Sequence, residues 1–216
     1  MALPDLDPTT LSGNYIVIAL EGEIAQPSQG VERELKSIAF AALVKGKVES
    51  FSQIINPQLS SDSKGNFGTS QKLDFAKVDE LATEWLLPRG GMLGEGKIIP
   101  VGFNVGAQGI PAFLDSLPRT KALFSDRVLD LNTICLTLEG VSTTGKGELK
   151  FKGWKSLALK ETKKVLLALK VKRGKDPLAF EAAQALLSWI WFRGIMDNNL
   201  EFNLQKKTPI REGNDE

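Results

Sequence analysis

Carboxylates and ammonium groups carry nearly all the chemistry this sequence offers, because it contains no histidine and a single cysteine, Cys135. The missing histidine removes serine and cysteine triads, imidazole general bases and the usual zinc sites. One cysteine rules out an intramolecular disulfide and a thiolate metal cage, and it fits a reducing compartment. What remains is 26 acidic and 27 basic side chains. Acids can hold hard divalent cations, and lysines can hold phosphates. The basic residues are densest at Lys150, Lys152 and Lys155, then at Lys160, Lys163, Lys164, Lys170, Lys172, Arg173 and Lys175. Such a group binds nucleic acid by displacing counterions, with a strong salt dependence. The plainer reading is a solvated helix face, which charge runs usually are. Gly102, Gly106 and Gly109 fit neither a dinucleotide fingerprint nor a nucleotide-triphosphate loop, so no nucleotide site is read there.

Positioning these groups requires a folded core, and a 216-residue chain that is 42% hydrophobic can bury one. The net charge of +1 demands no anionic partner by itself. The Pro-containing lead, 1–13, has no basic segment followed by an apolar run, and no stretch is apolar enough for a membrane span. The expectation is a soluble, cytoplasmic protein with no membrane partner.

Along the chain, 14–20 is a β-branched apolar run expected of a buried strand. Runs 35–44 and 48–55 flank Lys45-Gly46-Lys47 and predict a hairpin. A Ser/Gly/Asn-rich loop, 58–73, precedes a helix over 75–87, where Val78, Leu81, Ala82, Trp85 and Leu86 follow helical spacing. A strand is expected at 97–103, a helix at 109–117, a strand at 127–131 and a helix from 132. Residues 140–153 read as a loop or exposed hairpin, 154–171 as a lysine-rich helix, 178–195 as a strongly apolar helix, and 203–216 as a flexible tail. Strands with a hairpin, followed by alternating helices and strands, make an α/β pattern with a mixed sheet.

Several stretches, taken in this order, carry a resemblance. Ala19-Leu20-Glu21 ends the first strand, and Ile54-Ile55-Asn56-Pro57 ends the third. Gly102-Phe103-Asn104 leads toward Gln108, Arg127-Val128-Leu129-Asp130 leads into Thr133-Ile134, and Asp176 precedes Glu181 by five residues. The pattern resembles the DEDD-type 3′-to-5′ exonucleases of the ribonuclease-H-like superfamily over roughly residues 14 to 195. The resemblance implies a mixed five-stranded sheet flanked by helices, with the exonuclease-like domain spanning 14–202.

It also implies a site in which four carboxylates hold two Mg²⁺ or Mn²⁺ ions. The four positions here read Ala19, Glu21, Gln108 and Glu181, with Asp176 in the place of the general base. Ala19 has no ligand atom and Gln108 no charge, so two anionic ligands remain. The implied function is that of a catalytically impaired exonuclease-like protein. It would act by binding single-stranded nucleic acid, through Asn104, Lys160, Lys163 and Lys164, or by binding a protein partner, with no cofactor.

Two rivals stand beside this reading. In the first, Glu23, two residues beyond Glu21 and on the same face if the strand continues, joins Glu21, Asp176 and Glu181 in a divergent active enzyme dependent on Mg²⁺ or Mn²⁺. The plainer account of Glu23 is a solvated loop residue. In the second, a structural or inhibitory protein dimerises through the apolar last helix, which carries Leu186, Leu187, Trp189, Ile190, Trp191 and Phe192.

Overall fold

A computed structural model describes residues 10–11, 15–24, 35–55, 73–90, 97–106, 114–144, 153–168 and 176–206. Its strands are β1 (Thr10–Leu11), β2 (Tyr15–Ile24), β3 (Leu35–Val44), β4 (Lys47–Ile54), β5 (Ile98–Gly102) and β6 (Leu129–Asp130). Its α-helices are α1 (Phe75–Leu86), α2 (Pro118–Lys121), α3 (Leu131–Thr144), α4 (Trp154–Ala168) and α5 (Pro177–Lys206). The sheet runs β4-β3-β2-β5-β6, and the two-residue β1 pairs with the start of β2. β3 is antiparallel to β2 and β4, whereas β5 is parallel to β2 and β6 parallel to β5. The fold is therefore α/β, with a mixed sheet of five main strands flanked by helices.

Alternation along the strands divides the core into two layers. Val17, Ala19, Ala39, Ala41 and Val101 pack with Phe180, Ala183, Leu186 and Phe192 of α5, and with Trp154 and Ala158 of α4. Ile18, Leu20, Ile38 and Phe40 face the opposite way, onto Val78, Ala82 and Leu86 of α1. The alanines on the first face leave room for α5, which crosses β2, β3, β4 and β5. Burying all of these side chains stabilises the fold by about 1.5–3 kcal/mol for each large one.

The hairpin forms as its sequence predicts. Lys45 (φ 48°) and Gly46 (φ 74°) both take the left-handed conformation of a two-residue turn, and Val44 pairs with Lys47. The strand expected at 14–20 runs on to Ile24, because β3 pairs with it residue by residue from Ala19↔Ala41 to Glu23↔Ser37. α1 starts on Asp74, whose carboxylate accepts the Lys77 backbone N–H at 2.8 Å.

The helix expected at 109–117 is replaced, in its described part, by a 3₁₀ turn at Leu114–Ser116. Pro118 then opens α2 instead of ending a helix; proline suits a first helical position, where its missing N–H has no partner to lose. Buried Asp79 accepts the backbone N–H groups of Arg119 and Thr120 at 3.0 and 2.8 Å and so caps that turn from α1. α3 continues through Thr144, so the first residues of the loop or hairpin expected at 140–153 are helical, and 145–152 lie outside the described residues. The last helix runs to Lys206, into the segment expected to be a flexible tail from 203. The loop at 58–72, the Asn56-Pro57 pair and Gln108 lie outside the described residues.

Candidate functional site

β2 and β5 run parallel in the centre of the sheet, with Ala19 beside Val101, so the residues just beyond them share one end of the molecule. Glu21 is there on β2. Gly102 closes β5 against it: a Cβ on Gly102 would sit 2.7 Å from the Leu20 carbonyl oxygen and 3.2 Å from Glu21 Oε1. Only glycine lets the two strands and the carboxylate approach this closely. The next backbone N–H, of Phe103, donates to Glu21.

The chain then turns through Asn104 in the left-handed region, φ 62°. The Asn104 side-chain oxygen accepts from Asn132 Nδ2. Asp130, at the end of β6, fixes the same turn by accepting the Gly106 N–H at 3.2 Å and the Asn132 N–H at 2.9 Å. The short β6 thereby ties the turn after β5 to the start of α3.

Two helices complete a cleft of about 370 Å³ over this end of the sheet. α5 contributes Glu181 and Gln184, and α4 contributes Lys155 and Leu159, facing Glu21, Phe103 and Asn104. Gln184 Nε2 donates to the Leu159 carbonyl at 2.8 Å and fixes α5 to α4. The Lys155 ammonium lies 4.9 Å from the centre of the Phe103 ring. Burial pushes the Glu21 carboxyl up from 4.5 to about 8; Glu181 and Asp130 push it the same way, while the Phe103 N–H and Lys155 oppose them. At neutral pH Glu21 is therefore largely protonated.

The residues singled out in the sequence divide into two groups. Glu21, Asn104 and Glu181, far apart in the chain, meet in the cleft. Ala19 is fully buried on the same face of β2 and packs in the core layer beneath α5. Glu23 lies apart from the cleft, 3.5 Å from Lys36 Nζ and 3.4 Å from Ser37 Oγ, where the register of β2 shifts. Asp176 caps α5: one oxygen accepts the Ala179 N–H at 3.0 Å and the other accepts the Ser52 hydroxyl, tying β4 to the helix. Five residues of helix rotate through about 140°, so the cap at Asp176 and the cleft wall at Glu181 do not share a face.

Lys160, Lys163 and Lys164 are exposed on α4. Sequence reasoning grouped Lys155 with the other lysines and missed its place in the cleft, as it missed Gln184. A signal existed for Gln184, because it stands three residues after Glu181 and so shares its helix face.

The metal pair implied by the resemblance does not fit these residues. A pair of Mg²⁺ or Mn²⁺ ions needs more anionic oxygen ligands than a single ion does, and among the described residues the cleft offers two carboxylates and an ammonium. Among the described residues, no group of three or more His, Cys, Asp or Glu side chains could hold a metal ion. Among the same residues, no helix is long and apolar enough to cross a membrane.

No protein-family model matches the chain, and no curated protein matches it significantly.

Proposed function

We propose that this chain is a nucleic-acid-binding domain on a ribonuclease-H-like frame, and that it holds a single strand without cutting it. Support for the frame comes from the order of strand, hairpin, helix, parallel strand and terminal helices, and from the meeting of Glu21, Asn104 and Glu181 at one end of the sheet. The observation that carries the binding reading is the double use of α4. Lys155 and Leu159 form one wall of the cleft, and Lys163 follows at the next four-residue step along the same row. Lys160 and Lys164 lie about 140° and 180° around the helix from Lys155, exposed beside Lys163 on its solvent side. A strand leaving the cleft along this row would meet Lys163 first, and Lys160 and Lys164 as it wraps onto the solvent side of α4.

Glu161 pairs with Lys164 at 2.8 Å, but both are exposed, and such a pair is worth under about 1 kcal/mol. A phosphate can displace it. The rival readings have less support. The cleft lacks the third carboxylate of an active variant, because Glu23 and Asp176 are engaged elsewhere. Leu186, Trp189 and Phe192 of the last helix are buried, and Leu187, Ile190 and Trp191 pack against the same core. None of the large exposed apolar side chains among the described residues, Leu87, Leu136, Val165 and Leu167, lies on that helix.

Fluorescence anisotropy of a labelled single-stranded oligonucleotide, followed across a range of salt, tests the proposal. Affinity should fall with salt with a log–log slope of roughly −0.7 for each phosphate engaged, and the double change Lys163→Ala and Lys164→Ala should flatten the slope by about 1 to 1.5. Absent or salt-insensitive binding would reject the reading. Mn²⁺-dependent shortening of the strand that is lost in Glu21→Gln would favour the enzyme instead.

A further inference from the structure

Two carboxylates and one ammonium share the cleft, each brought by a different element: Glu21 by β2, Glu181 by α5 and Lys155 by α4. Two acids in a confined, partly dry space cannot both ionise without compensation. A proton, a bound metal ion or a fixed cation can supply it. This chain uses the first and the third: Glu21 is largely protonated at neutral pH, and Lys155 shares the cleft with Glu181. Lys155 leans over the Phe103 ring, which favours a cation on its face, and the Gln184 amide donates to the Leu159 carbonyl at 2.8 Å. The positive field at Glu21 from Lys155 opposes the negative field from Glu181.

We propose that Lys155 Nζ is the resident counter-ion of this cleft, standing in for the divalent cation of the resembled enzymes and closing the site to metal. The inference rests on the reading of Glu21 and Glu181 as the family's metal positions, but not on the identity of the bound polymer. A fixed ammonium needs no metal supply and survives chelation. Its charge also repels any dication that enters.

Thermal unfolding with and without millimolar Mn²⁺, paired with direct Mn²⁺ titration, tests this on the full chain. The wild-type midpoint should not respond to Mn²⁺ or to EDTA. Lys155→Met keeps the stem and removes the charge; it should gain Mn²⁺ uptake and a midpoint shift of about 2 °C or more, reversed by EDTA. Adding Glu21→Gln to Lys155→Met should abolish the gain, and Lys155→Arg should behave as the wild type.

If Lys155→Met does not fold, the double variant should recover folding, because glutamine at position 21 cannot ionise beside Glu181. A double variant that stays unfolded overturns the proposal. So does wild-type Mn²⁺ binding that Glu21→Gln removes, and so does a folded Lys155→Met that takes up no Mn²⁺. Oligonucleotide binding is read separately, so its failure would leave these results standing.

Discussion

At Glu21, a carboxyl is held where burial and two other acids disfavour its charge, and this has a measurable consequence. Its folded-state value, about 8, lies above the ordinary 4.5, so between these values the folded protein binds the proton more tightly than the unfolded chain. Stability contributed by this group is therefore present at low pH and falls as pH rises through that window. Glu21→Gln should remove this dependence and make the protein more stable than wild type above the window, by up to about 5 kcal/mol. Urea unfolding across the pH range checks it, and a wild-type stability that rises through the window would contradict the account. Residue-scale features were partly legible in the sequence. The order of short motifs singled out Glu21, Asn104 and Glu181, which do meet. Lys155 was not legible as a cleft residue, because nothing local in the chain distinguishes it from its neighbours; its role comes from the packing of α4 against α5.

Helix starts and strand pairings decide what the site can contain. Asp176 stands where the resemblance would put a general base, but it serves as the N-cap of α5 and holds Ser52 of β4. Asp176→Ala should cost about 0.5–2 kcal/mol through loss of the cap, and Asp176→Asn should keep most of it, since asparagine caps equally well. Equilibrium denaturation of both variants checks this, and equal losses would contradict it. Elements with strong local signals were readable: β3, the Lys45-Gly46 turn and α1 lie within a residue of their expected bounds. Elements set by distant partners were not. The extension of β2 through Glu23 needs β3 beside it, and α2 starts at Pro118 because buried Asp79 of α1 receives its N–H groups.

At the scale of the molecule, a mixed sheet carries one core layer under α1 and another under α4 and α5. The hairpin and the α/β pattern with a mixed sheet could be read from the sequence; the strand order β4-β3-β2-β5-β6 could not, because the parallel pairing of β2 with β5 joins segments far apart in the chain. The shape of the cleft could not, since three elements, β2, α4 and α5, and the turn after β5 build it. α4 joins the cleft to the lysine face, and the apolar side of α5 is spent on the core. Both features favour holding a strand over cutting it or pairing with a second copy. The most direct test incubates an end-labelled single strand with excess protein and Mn²⁺ at low salt, and reads anisotropy and strand length from the same sample. The account predicts a bound strand of unchanged length; a shortened strand, or one whose anisotropy does not rise, would contradict it.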